Sequence, residues 1–520
     1  MENGWFRLDP NYETRGQQEF FSPHPKILDK MPQKNVPSPT VEKKEKPEPE
    51  ERKEAAEEIL LPLAASLKKT AQTPADPHQD EPAAIHSQTV GEQGPVLVQD
   101  SVLHETLETF VHAKPVERAV HVKGFGAFGF FRPYSSMKEY TSLAFLQDPS
   151  KETPVVSRFS LAVSNKGTPD TSRNVRGFST KFYTSQGVFD LLCNHIPVFL
   201  VQDAMRFPEA IRSLLPSPKN NLADPNRFWD FFARTPEATH FVTWLFSDLG
   251  TIKSLRHIRA YGVNTYVWKN ADQMRRYVKY HWIPLAGEQC INRQEAVQLA
   301  GENPDIAGQD LFDTIASGTP VEFELHVQLM EQDAVDSLPF DPLDDTKIWD
   351  ENTYPLIPVG RLTLDRNPDD YNEQIEKLAF SPANLLEGAE LSDDKMLQGR
   401  SFIYSDAQRY RLGPNFRDIP VNKQSGWRPD QMVTSGNGRF VEGRLTRSGP
   451  GPEKQDDFMQ AGEHYRSLSN EQQEHLADNI ASQLYAVPAE TQEIVLNYFC
   501  QADASLSEQI QQQIRQYQGR

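Results

Sequence analysis

The sequence predicts an α+β protein, a large antiparallel β-barrel followed by a wrapping segment and a helical C-terminal region. Three patterns support this. Val321, Phe323, Leu325, Val327 and Leu329 alternate with Glu322, Glu324, His326 and Gln328, as in a strand with one buried face. Comparable short runs recur from about residue 119 to 366, separated by turn residues, and closing such strands into a barrel removes their exposed edges. Beyond Lys454 the apolar spacing becomes helical, through Met459, His464, Tyr465 and Leu468 to Leu476, Ile480 and Leu484, then Ile494, Leu496 and Phe499.

Taken in order, residues 1–88 are expected to be a disordered extension. Val41 to Glu58 is almost all charge and proline, and Thr73 to His86 is again polar and proline-rich. Such segments bury too little apolar area to offset their ordering entropy. A short helix around Glu54 to Leu61, ended by Pro62, is the one element expected there. Residues 89–367 form the arm and barrel. Asp100 or Ser101 caps a short amphipathic helix with Leu103, Leu107 and Phe110. Strands are expected over Ser157 to Val163, Phe178 to Tyr183, Ile258 to Trp268 and Tyr277 to Trp282, with helices at Glu209 to Leu215 and Pro225 to Ala233. Residues 368–452, rich in Pro, Asn, Asp and Gly, read as an extended segment draped over the core, and 453–520 as a helical domain.

Composition narrows the function. A net charge of −19 argues against binding nucleic acid or an anionic membrane, both of which need basic surface. No long apolar run or leader pattern is present, so a cytoplasmic protein is expected. The three cysteines, Cys193, Cys290 and Cys500, are too scattered for a disulfide framework or zinc site.

One segment carries unusual chemistry. Tyr404 has Arg400 four residues before it and Arg411 seven after. A free phenol ionises near pH 10, and nearby cations favour the phenolate that could bind ferric iron. Tyrosine is a known axial haem ligand. A second set lies about 280 residues upstream, Arg118-Ala119-Val120-His121, with Asn194 beyond it. Alone, His121 would be a structural histidine, Asn194 a turn residue and Tyr404 a core aromatic.

Longer stretches turn these hints into a resemblance. Val116 to Gly124, Val155 to Ser160, Val175 to Tyr183, Asn194 to Phe207, Phe340 to Leu343 and the Tyr404 segment together resemble the haem catalases, over about residues 94–422. The resemblance implies decomposition of hydrogen peroxide at haem b, in a homotetramer. It makes His121 the distal base, Asn194 a hydrogen-bond donor to peroxide, and Ser160 the group orienting His121. Val120, Phe199 and Phe207 narrow the approach. Arg118, Arg158 and Arg411 meet the haem propionates, Tyr404 is the proximal ligand, and Arg400 stabilises its phenolate. Alternatives are a Tyr-ligated peroxidase or hydroperoxide-processing relative, and a degenerate, purely structural form of the fold. The retained Phe199 and Phe207 disfavour the wider channel of the former; intact His121, Asn194, Arg400 and Tyr404 disfavour the latter.

Departures from the family pattern lead to further expectations. Asn174 stands where an aspartate is usual in the channel, Asn264 where a histidine extends the relay behind the proximal arginine, with Asp394 retained, and Leu161 and Gln408 also differ. A slower catalase is expected. His195 is expected to be a local variation without a catalytic role. His240 and Ser247 match the NADPH pocket of some members, but Leu249, Ile283 and Glu351 replace an arginine, a lysine and a histidine, so bound NADPH is not expected. The extra C-terminal domain of large-subunit members is expected to be absent.

Overall fold

The computed structural model describes residues 87–90, 95–96, 99–112, 115–423 and 456–519. The expected N-terminal extension, its short helix and the end of the wrapping segment lie outside them.

The chain enters through α1 (Ser101–His112), capped by Asp100, whose Oδ1 accepts from Leu103 N at 3.1 Å. Strands β1 (Gly124–Pro133), β2 (Thr153–Leu161), β3 (Arg176–Thr184) and β4 (Gly187–Asn194) then form an antiparallel meander. Helices α2 (Phe207–Leu214), α3 (Pro225–Phe232) and α4 (Thr239–Phe246) follow; Asp224 and Pro225 start α3 as expected. The expected strand from Ile258 to Trp268 is two short ones, β5 (Ala260–Tyr261) and β6 (Tyr266–Lys269), because Val263 between them takes φ 61°. After β7 (Arg275–Pro284), α5 (Arg293–Glu302) and α6 (Ile306–Ala316) come β8 (Val321–Glu331) and β9 (Ile357–Arg366).

Pairing of β1 with β9, β9 with β8, β8 with β7 and β7 with β5 closes the barrel, while β6 and β10 (Ala389–Leu391) extend from β7. Aromatic side chains fill the interior: Phe159 and Phe178 pack at 4.4 Å, and Phe178 stacks on Trp282 at 5.6 Å. The alternation in β8 holds through Val327, with Val321, Phe323, Leu325 and Val327 buried, and then breaks, since Gln328 is buried and Leu329 only partly so.

The wrapping segment departs from the extended reading. Residues Lys395–Leu412 form a long helix, α7, N-capped by Asp394, whose Oδ1 accepts from Leu397 N at 2.9 Å. The C-terminal helices α8 (Met459–Ser467), α9 (Asn470–Leu484), α10 (Ala489–Ala502) and α11 (Ala504–Gln518) bury Leu476, Ile480, Leu484 and Phe499 against α3 and α4. Ser469 and Gln472 make a reciprocal capping box at α9.

Candidate functional site

The site grows from strand register. Ser160 on β2 faces Gly177 on β3, and Gly177 faces Asn194 at the end of β4. Directly paired residues lie roughly 5 Å apart, so Ser160, Gly177 and Asn194 form one row across the sheet. Since β2 alternates, Phe159 points into the barrel while Val156, Arg158 and Ser160 share the outer face.

His121 lies over this row. Its Nδ1 is 3.0 Å from Ser160 Oγ, and its backbone N–H donates to Ala162 O at 2.8 Å. A Cβ at Gly177 would come within 2.9 Å of His121 Cε1 and Nδ1 and of Ser160 Oγ, so the ring occupies the space glycine leaves. The His121 backbone is strained, at φ 61°, as functional residues often are. Burial, then the charges of Arg158, Arg400 and Arg118, push its imidazole down to about 3. The ring is therefore neutral at neutral pH, and the residue is half-buried beside the sheet. The side chains of Val120 and Asn194 are also half-buried there. The rings of Phe199 and Phe207 stack on each other at 6.1 Å.

Helix α7 places Arg400 and Tyr404 one turn apart on one face. Arg400 Nη2 donates to the Tyr404 hydroxyl at 3.2 Å, and its Nη1 donates to Asn264 Oδ1. Burial opposes the Arg400 charge, but Tyr404, Tyr266 and Asp394 hold its pKa above the ordinary range. Tyr404 packs beside the outer-face residues Phe128 and Val156, the latter in register with Arg158 and Ser160. The phenol and the imidazole therefore lie on the same outer face of the sheet.

A third group lies beside these, with Arg158 bonded to the His121 carbonyl. Arg118 donates to Glu376 O at 2.7 Å and Leu378 O at 3.1 Å; Arg411 donates to the same two carbonyls at 2.8 and 2.9 Å. Arg158 holds His121 O and Val122 O, each at 3.1 Å. Burial, then Arg158 and Arg411, force Arg118 well below its usual value; Arg411 falls to about 10, mainly through burial. The carboxylate among them is Glu376, 3.0 Å from Arg118 Nη1 though out of line for a hydrogen bond. Among the described residues, Arg118 Nη1, Arg158 Nε and Arg411 Nε are buried without hydrogen-bond acceptors. Three crowded cations with open donors and one anion suit a cofactor bearing two carboxylates. The residues present thus fit haem.

The structure brings His121, Ser160 and Asn194 to one row, pairs Arg400 with Tyr404, and gathers Arg118, Arg158 and Arg411 around Glu376; Phe199 and Phe207 pair with each other, and Val120 precedes His121. Sequence reasoning missed the spatial role of Gly177 and the presence of Glu376; the first lay within a quoted motif, and the second had no local signal. His195 is structural: its Nδ1 accepts from Arg176 N and its Nε2 donates to Leu249 O, both at 2.9 Å. Asn174 clamps Val163, accepting from its N–H at 3.2 Å and donating to its carbonyl at 2.6 Å, which an ionised aspartate could not match.

A second cavity of about 280 Å³ is lined by Trp244, Arg259, Tyr261, Lys279, Trp349 and Glu351, among others. Glu351 engages Arg259 at 2.5 Å, and Trp244 stacks on His464 of α8 at 3.9 Å. His240 is buried, its Nε2 accepting from Trp244 Nε1 at 3.0 Å.

A closed barrel carrying a crowded arginine cluster, an arginine-paired phenol and a buried imidazole on its outer face fits the class of haem-binding oxidoreductases that act on peroxide. Comparison with known proteins narrows this further. The catalase family model matches residues 77–447, and the catalase-related immune-responsive model matches 451–514. Catalase of Helianthus annuus is 39% identical over 453 residues, spanning 82% of this chain and 92% of that protein. Catalase isozyme 3 of Nicotiana plumbaginifolia is 40% identical with the same coverage. A bacterial catalase structure superposes with TM-score 0.78 at 34% identity, covering 84% of this chain and 94% of the other; a fungal catalase gives 0.77. The chain belongs to the catalase family.

Proposed function

We propose that this site decomposes hydrogen peroxide to water and dioxygen, with Tyr404 as proximal ligand of haem b and His121 and Asn194 as the distal catalytic pair. Family membership carries the activity and the haem. The observation that carries the residue roles is the row Ser160–Gly177–Asn194 with His121 over its glycine, on the same outer face as the Arg400–Tyr404 pair. When bound, the haem supplies the ferric centre at which the O–O bond is cleaved.

The chain's own residues do the rest. Nδ1–H of His121 donates to Ser160 Oγ, leaving Nε2 to take a proton from one peroxide oxygen and return it to the other. That converts a poor leaving group into water, worth about 10²–10⁴-fold. Asn194 donates from its amide to the substrate oxygen. Phe199 and Phe207 hold the approach narrow and dry, with Val120 beside them. Arg400 donates to the Tyr404 oxygen, and Arg118, Arg158 and Arg411 hold the two carboxylates. The test is oxygen evolution by His121→Ala beside the wild type: activity should fall at least 100-fold with the haem absorption band retained. Loss of haem in the variant, or unchanged oxygen release, would overturn the assignment.

Three finer readings belong to the same proposal. Activity below that of ordinary catalases is supported by the neutral Asn174 and Asn264; an ordinary specific activity would refute it. Absence of stably bound NADPH is supported by Glu351, which occupies Arg259 in the second cavity; one NADPH per subunit from purified protein would refute it. Self-association, with a tetramer as the expected form, is supported by exposed apolar side chains at Leu107 and Phe110 on α1 and Phe402 and Tyr410 on α7. Sedimentation as a monomer would refute that. The cytoplasmic setting is tested by cell fractionation.

A further inference from the structure

We propose that Asp345 is a positioning residue for the proximal side, locking the Asn264 amide so that its oxygen stays on Arg400 and Arg400 stays on Tyr404. The inference rests on Tyr404 as the ligand.

Asn264 is almost fully buried, so all of its amide hydrogen-bonding capacity must be met by the protein. Its Oδ1 accepts from Arg400 Nη1. Its Nδ2 has two hydrogens and two acceptors, Asp394 Oδ2 at 2.9 Å and Asp345 Oδ2 at 3.3 Å. Arginine offers only donors, and the carboxyl groups present acceptor oxygens to the amide. The amide therefore has one satisfactory orientation. Without Asp345, one N–H would be buried and unpaired, and rotation to relieve it would carry Oδ1 off Arg400.

The backbone is built around this contact. Val263, just before Asn264, is a β-branched residue at φ 61°, a conformation such residues rarely take. Asn264 N closes the turn on Gly262 O at 2.7 Å. Strain of this kind persists where surrounding structure enforces it. On the other side, Asp345 O accepts from Phe199 N at 2.8 Å, tying the same residue to the backbone of Phe199.

Asp345 has no obvious structural use beyond this. Its Oδ1 has no hydrogen-bond partner among the described residues. Burial first, then Asp394 and Asp344, hold its carboxyl well above the usual range, against Lys279 and Arg400. A second acid beside Asp394 is costly unless the amide between them needs it.

The test compares haem-loaded wild type, Asp345→Leu and Asp345→Asn by ferric/ferrous midpoint potential and by tyrosinate–haem resonance Raman bands. Asp345→Leu removes the acceptor; with Arg400 no longer drawing density from the phenolate, the potential should fall, shifting the reduction equilibrium at least threefold. Asp345→Asn keeps an acceptor in place and should return the wild-type potential and bands. Asp345→Ala carries the same expectation as Asp345→Leu if the latter does not fold. Unchanged potential and bands in the acceptor-less variant overturn the inference alone, as does an equal shift in Asp345→Asn, since charge rather than the hydrogen bond would then matter. A wild type without tyrosinate bands overturns both this inference and the ligand assignment.

Discussion

A single missing methyl group at position 177 decides where the distal base can lie. Gly177→Ala would place a carbon 2.9 Å from the His121 ring and from Ser160 Oγ, too close to be accommodated unless the ring shifts. Because a displacement of about 1 Å can cost about 10²-fold, kcat for oxygen release should fall by about that factor while the thermal midpoint changes little. His121 also sets the pH response. With its imidazole pushed down to about 3, the base is unprotonated at neutral pH and stays so well into acid. The kcat/KM profile should show no inflection near 6.5, the ordinary histidine value; a clear break there would contradict the burial argument. At this scale the sequence singled out His121, Asn194, Arg400 and Tyr404 through their motifs. Glu376, Asp345 and the clearance at Gly177 were not, since each matters only through a neighbour distant in the chain.

Helix α7 is the element that the sequence concealed. Amphipathic helices are recognised by an apolar stripe, but here Phe402 and Tyr410 are 75% and 78% exposed while Arg411 is buried. Its working face carries Arg400 and Tyr404 instead of a hydrophobic seam, and proline and aspartate flank it, so the segment reads as extended. The −4 spacing of Arg400 was the available clue, since it is one helical turn. The break between β5 and β6 was hidden for a related reason: Val263 has high strand propensity, overridden by the turn that aims Asn264. Elements meet at Glu376, which binds the N-terminal Arg118 and the α7 residue Arg411 at 3.0 and 3.9 Å. Glu376→Gln leaves three buried cations without their anion. In haem-free protein it should cost about 3–5 kcal/mol, and clearly less when haem carboxylates are present. Calorimetry with and without haem checks this; equal losses in both states would contradict it.

Across the whole molecule, acid should unfold the protein by a definable route. His195, His240, His281 and His464 are all buried and pushed down to about 3, chiefly by burial. Below the unfolded value near 6.5 the unfolded chain binds more protons than the native one, so stability falls as pH falls from about 6.5 toward 3. Each group contributes at most about 1.4 kcal/mol per pH unit across that window. Against a total stability of about 5–15 kcal/mol, unfolding should set in by about pH 4–5. Chemical denaturation between pH 7 and 5 tests this, and a flat stability over that range would contradict it.

By itself the sequence determined the chemistry and the class of fold: which side chains could bind iron, move a proton or hold carboxylates, and that alternating strands would enclose an aromatic core. These are local properties, carried by residue types at short spacings. Tertiary structure alone decided that Ser160, Gly177 and Asn194 share a row, that Arg118 and Arg411 converge on Glu376, and that Asp345 reaches Asn264. Strand register and the docking of α7 set those encounters, and both arise from contacts between segments far apart in the chain, which no local pattern encodes.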